Sequence, residues 1–188
     1  MQIAMHSLFP VEVYEFKFSY AEIEALIKEV GSKKKEIKKI SSLHLSHAGH
    51  ALKGDDYFTD YEKPIRMLEY EKLFLMLSNY FQNKGYDFNM GYYWTTFYKN
   101  NANHGAHTHH GEHDSRKEIN YSSVLSLNTA GATRLLSPHL SSNITEYNFN
   151  SDVGKLIIFP ANIWHDSFYY RKEERIVIAS NLKIYKTQ

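Results

Sequence analysis

Between His104 and Asp114 the chain reads HGAHTHHGEHD, and five of its eleven histidines fall in this stretch. Neutral imidazole is the commonest metal-ligating side chain near pH 7. The chain has no cysteine, which removes thiolate zinc sites, disulfides and cysteine nucleophiles. His, Asp and Glu remain as donors, a set that suits iron, manganese, copper or zinc. Along a strand, residues i and i+2 point to one side. His107 and His109 therefore present two imidazoles to one face, while His110 and Glu112 form a competing pair on the other. His165 follows the apolar run GKLIIFP at 154–160, and a barrel mouth can bring it to the first pair as a third ligand. Such a site leaves several coordination positions open, as is needed when a cosubstrate and oxygen both bind.

Arg175 lies ten residues beyond His165, after a charged turn at 171–174. If the chain runs back antiparallel, its guanidinium points inward. A buried Arg is costly unless it meets an anion. A carboxylate of a molecule that also chelates the metal is a natural partner, held in a bidentate fork. The bland alternative is a surface Arg at a turn exit.

The elements that must position these residues are legible from patterning. Residues 8–18 alternate as a strand does. Ser19 and Glu22 have capping-box spacing, and Ile23, Leu26, Ile27 and Val30 follow at helical intervals, so 20–30 is predicted helical with Gly31 as its stop. Pro64 opens a second predicted helix over 64–84, with an apolar stripe of Ile65, Leu68, Leu73, Met76, Leu77, Tyr80 and Phe81, and Gly85 after it. The basic run at 33–39 reads as a solvated turn rather than a phosphate site, because no aromatics are interleaved with it. His44, His47 and His50 stand in a Ser/Gly-rich stretch and read as loop residues. From 91 onward, short strand-like runs at 91–98, 120–128, 132–136, 144–149, 155–159, 163–170 and 175–184 alternate with Gly, Asn, Ser and Pro punctuation. That is the pattern of an all-β sandwich or barrel. The fold class expected is α+β, mainly β: a double-stranded β-helix (jelly roll) with two supporting N-terminal helices. One domain is expected over 1–188, with the strand and helices in 1–90 and the jelly-roll core in 91–188.

A formal net charge of +1 favours neither nucleic acid nor an anionic membrane. No run approaches the length needed to span a bilayer, and the start MQIAMHSLFPVEVYEF lacks the regions of a signal peptide. A cytoplasmic protein is expected, with oligomeric state open and a homodimer among the options.

Taken together, Leu8-Phe9-Pro10, Trp94 to Tyr98, His107-x-His109, Ser122 to Leu127, Gly154 to Pro160 before His165, and Arg175 to Ile178 leading to Asn181 resemble the Fe(II)- and 2-oxoglutarate-dependent oxygenases. Within them the chain looks like the small prokaryotic and phage group. The resemblance implies that His107, His109 and His165 hold Fe(II), and that Arg175 binds the distal carboxylate of 2-oxoglutarate. Tyr98, nine residues before His107, would be a further cosubstrate contact. It also implies use of O2, release of succinate and CO2, and hydroxylation of a primary substrate that the sequence leaves unidentified. The wider superfamily carries a carboxylate where His109 stands. That departure leaves open His110-x-Glu112, Asp114 or water as the second proximal ligand. Trp94, Tyr92, Tyr93 and Phe97 are candidates to wall the cavity. His104, His113 and His139 read as exposed or structurally hydrogen-bonded, and Asp166 as pointing away from the site. Two rivals remain: a cupin-type metalloprotein of the same barrel shape, in which Arg175 has no task, and a non-catalytic jelly-roll binding or structural protein.

Overall fold

The computed structural model describes residues 1–8, 11–44, 56–100, 102–109, 119–137, 146–168 and 173–187. Among the described residues, eleven strands and two helices succeed one another: β1 (Gln2–Leu8), β2 (Val11–Lys17), α1 (Tyr20–His44), β3 (Tyr57–Thr59), α2 (Leu68–Gln82), β4 (Tyr86–Tyr98), β5 (His104–His107), β6 (Tyr121–Ser126), β7 (Ala132–Leu136), β8 (Glu146–Asn150), β9 (Lys155–Pro160), β10 (His165–Phe168) and β11 (Arg175–Lys186). They form a seven-stranded sheet in the order β1-β2-β9-β6-β11-β4-β3 and a four-stranded sheet in the order β5-β10-β7-β8. Every pairing is antiparallel. The chain is thus mainly β, with two helices.

Two apolar clusters explain the layering. The larger joins α1 and α2 to one face of the large sheet: Ile23, Leu26, Val30 and Ile37 of α1 and Tyr70, Leu73, Phe74, Leu77 and Phe81 of α2 meet Phe88, Phe97, Leu125, Leu156, Ile158, Ile178 and Leu182. The smaller fills the opposite face and includes Val124, Leu135, Phe149, Ile157, Phe159, Ile163 and Val177. Strand alternation sends neighbouring residues of β6, β9 and β11 to different clusters.

Several sequence expectations need correction. Gly31 does not stop α1, which runs on to His44. A Cβ at Gly31 would meet nothing within 4 Å, so the position is an exposed helical glycine costing about 1 kcal/mol against Ala. Burial of Ile37 and Ser41 carries the helix past it, and the basic run at 33–39 is therefore helical. The capping signal was sound: the Glu22 carboxylate accepts from Ser19 N at 2.7 Å and Ser19 Oγ at 2.9 Å. α2 begins at Leu68 rather than Pro64, and its buried stripe is Tyr70, Leu73, Phe74, Leu77 and Phe81, while Leu68 and Met76 are exposed. Residues 2–8 and 57–59 add strands that patterning did not predict.

Candidate metal centre

Two strands and the residue just past one of them supply three imidazoles. His107 ends β5, His109 lies just beyond it, and His165 opens β10. β5 and β10 are neighbours in the small sheet, and His165 is the direct register partner of His107. The His109 backbone N–H donates to the Ala161 carbonyl at 3.0 Å, which ties the residue to the turn before His165. One ring nitrogen from each histidine lies within 4.8 Å of the others. His107 and His109 are not in one regular strand, so a bend at His109, rather than strand alternation, brings their rings to one place.

The ring nitrogens that face away are committed. His165 Nδ1 bonds the Ile163 carbonyl at 3.0 Å, and His107 Nδ1 bonds the Gly105 carbonyl at 2.8 Å. His109 Nδ1 lies 2.7 Å from Asn181 Oδ1 and 2.9 Å from Ser122 Oγ. The Nε2 atoms of His107 and His109 are 3.1 Å apart. That matches the separation of about 3 Å for two nitrogens at right angles around an ion about 2.1 Å away. His165 is 3% exposed. Burial, and then the nearby His107 and His109 rings, holds its pKa well below the ordinary histidine value, so the ring stays neutral and able to ligate. Three imidazoles with outward nitrogens tethered fit a divalent first-row ion.

Arg175 opens β11 and is 0% exposed. Its Nε donates to Ser151 Oγ at 3.1 Å and its Nη2 to Thr133 Oγ1 at 2.9 Å. The guanidinium also sits 5.4 Å over the Tyr98 ring, at cation–π range. Tyr98 is buried and hydrogen-bonded to Ser167 and Thr96, and burial raises its pKa. Thr133 pairs with Ser167, and Leu135 pairs with His165. The Arg175 anchor is therefore two strand residues along β10 from His165, about 7 Å. The surface-Arg alternative is excluded.

The aromatics sort by strand face. Tyr93 packs with the helices, its hydroxyl accepting from Met67 N at 2.7 Å, and Phe97 is in the same cluster. Trp94 instead lies 5.4 Å from the His109 ring, with Tyr61 edge-on to it at 4.9 Å. Asp60 sets this flank: its carboxylate accepts from Ile65 N at 2.7 Å and Thr95 N at 2.6 Å, and burial pushes its pKa up to about 6. The Tyr92 hydroxyl donates to the Tyr61 carbonyl. His104 stacks on His107 with ring centroids 4.0 Å apart. Asp166 turns away from the histidines and pairs with Arg134. His110, Glu112, His113, Asp114, His139, His47 and His50 lie outside the described residues. Sequence reasoning missed Asn181, Ser122, Ser151 and Thr133 as partners of the site; their signal was only that polar residues interrupt otherwise apolar strands.

No protein-family model and no curated protein matches the sequence. Solved structures do match in fold. A prolyl-4-hydroxylase of Pseudomonas putida superposes with TM-score 0.62 at 17% identity, over 94% of this chain and 92% of that one. A viral collagen prolyl hydroxylase from Paramecium bursaria Chlorella virus-1, solved as a 2OG complex, gives 0.59 at 12% identity over 94% and 96%. An oxidoreductase of the 2OG-Fe(II) oxygenase family from Burkholderia pseudomallei gives 0.50 at 12% over 84% and 89%. The chain therefore has the fold of solved 2-oxoglutarate- and iron-dependent oxygenases, along nearly its whole length.

Proposed function

We propose that this protein is an Fe(II)- and 2-oxoglutarate-dependent dioxygenase that hydroxylates a substrate still to be identified. Its two sheets are read as a double-stranded β-helix within one domain spanning 1–188. The observation that carries the reading is the convergence of His107, His109 and His165 in an interior that also holds the wholly buried Arg175. The shared fold adds to it.

Bound iron would supply the redox chemistry, in which 2-oxoglutarate, O2 and the primary substrate give succinate, CO2 and the hydroxylated substrate, one oxygen atom of O2 going to each of succinate and product. The chain's share is binding, orientation and exclusion of water. His107, His109 and His165 would hold the ion through Nε2, since each Nδ1 is committed elsewhere. Arg175 grips the distal carboxylate of 2-oxoglutarate, with Ser151 and Thr133 fixing the guanidinium plane. The span of about 7 Å along β10 suits a short dicarboxylate reaching from ion to guanidinium. Tyr98 underlies the guanidinium and offers its hydroxyl to the same molecule. Val124, Phe159 and Val177 keep the cavity dry, so that the ion pair forms in a medium that strengthens it.

The test is anaerobic reconstitution with Fe(II), then succinate release from 2-oxoglutarate on adding air. Uptake of one iron and 2-oxoglutarate turnover are expected. Protein that takes up no iron and turns over no 2-oxoglutarate returns the chain to the non-catalytic alternative. Equal 2-oxoglutarate affinity in wild type and Arg175→Ala removes the assignment of Arg175 to the distal carboxylate.

A further inference from the structure

Two of the three imidazoles have their tautomer set by backbone carbonyls, at Ile163 and Gly105. A carbonyl only accepts, so in both rings Nδ1 carries the proton and Nε2 keeps its lone pair. His109 is held differently. The partners at its Nδ1 are two side chains, Asn181 and Ser122. These residues are direct register partners across β11 and β6, at 1% and 0% exposure. The neighbouring ladder is bulged at this level: Asn181 pairs with Tyr92 and Leu182 with Met90, leaving Gly91 over. A bulge of this kind re-aims side chains beside it. Asn181 Nδ2 is buried with no acceptor among the described residues. An orphaned donor asks for an explanation, and the explanation is at the other end of the same side chain.

We infer that Asn181, assisted by Ser122, is the positioning residue that lets an imidazole stand where the oxygenases this sequence resembles carry a carboxylate. The inference rests on reading the three histidines as ligands. At 3.1 Å, the Nε2 atoms of His107 and His109 cannot both present bare lone pairs to each other. Either a proton sits on His109 Nε2, or a cation sits between the rings. The carboxamide oxygen accepts only from a protonated Nδ1, and so holds His109 in the form whose Nε2 is free for metal. The Ser122 hydroxyl either donates or accepts and follows that choice. A carboxylate ligand needs no tautomer to be selected; an imidazole ligand does.

Co(II) titrated into metal-free protein, followed by its visible absorption, reads this without turnover. Asn181→Leu keeps the shape and removes the acceptor; it is expected to weaken Co(II) binding by about 10- to 100-fold. Asn181→Asp keeps an acceptor and is expected to bind within about threefold of wild type, because a carboxylate also serves as the outer partner of a ligating histidine. Equal affinity in wild type and Asn181→Leu overturns the inference. So does an Asn181→Asp protein as weak as Asn181→Leu. If Asn181→Leu does not fold, Zn(II)-loaded wild type with nitrogen-labelled histidine decides: a slowly exchanging Nδ1 proton is expected on all three ligand rings, and its absence at His109 overturns the proposal. Wild type that binds no Co(II) removes the three-histidine reading and this inference together. Co(II) binding that His165→Ala abolishes and Asn181→Leu leaves unchanged removes this inference alone.

Discussion

Along β11, Ile176, Ile178, Leu182 and Ile184 belong to the cluster under the helices, and Ser180 meets the Tyr70 hydroxyl there at 3.2 Å. On the other side of the same strand stand Arg175, bonded to Ser151 and Thr133, and Asn181, bonded to His109. The helix face is dominated by apolar and aromatic packing, with Phe81 stacked on Phe88 at 4.8 Å. The inner face buries a guanidinium, an imidazole and a carboxamide. Apolar burial stabilises by roughly 25 cal/mol per Å², whereas a buried cation or orphaned amide costs stability unless a ligand offsets it. Both faces pack apolar residues, and in the reading proposed above the inner one also carries function at some expense of stability.

That contrast can be broken experimentally, most sharply at His165. His165→Ala should abolish iron retention and lower 2-oxoglutarate turnover by more than about 100-fold, beyond what loss of an outer partner costs; iron content and succinate release check it. Phe81→Ala, on the helix face, should cost about 3–5 kcal/mol in denaturant unfolding and leave 2-oxoglutarate affinity intact well below the melting temperature. A large affinity loss there would mean the two faces are not separable. Arg175→Leu should do the reverse. It should weaken 2-oxoglutarate binding by about 2–5 kcal/mol, with denaturant unfolding of the metal-free protein still cooperative. Collapse of the fold with affinity unchanged would make the guanidinium structural.

Smaller effects sharpen the comparison. A Cβ at Gly154 would meet the Phe18 carbonyl oxygen at 2.4 Å, and φ there is +79°. Gly154→Ala should therefore destabilise by about 1–3 kcal/mol through the helix face, since Phe18 belongs to that cluster. The last prediction concerns pH. Burial and the neighbouring rings depress the pKa of native His165 below its ordinary 6.5, so the unfolded chain takes up a proton first. The contribution of His165 to stability is present above pH 6.5 and is lost as pH falls toward the native value. Thermal unfolding of metal-free protein between pH 8 and 5 should show this decline, and His165→Gln should flatten it.

What was legible follows from the same division. Strand runs such as 132–136 carried their own punctuation, and the structure places β7 at Ala132–Leu136. The histidines and Arg175 stood out by type and spacing. Gly31 misled because local propensity weighs less than burial of Ile37 further along. β1 was missed because Ile3 and Met5 are exposed on an edge strand, which leaves no alternation to read. Asn181, Ser122, Ser151 and Thr133 could not be singled out, since a small polar residue on a strand looks alike whether it faces water or a buried ring. Only the register of β6 on β11, and of β7 on β10, gave them tasks.

β5 is the outermost strand of the small sheet, and β10 is its neighbour there. Two of the three imidazoles thus hang from a border held by a short ladder to β10, by the His109–Ala161 bond and by the bonds of the His109 ring to Asn181 and Ser122 in the large sheet. The third is carried by a strand gripped on both flanks, by β5 and β7. Releasing the ladder alone would free His107 from its register partner His165, while the Asn181 and Ser122 side chains still hold the His109 ring. In the metal-binding reading proposed above, capture and surrender of the ion would follow local opening of this edge rather than global unfolding.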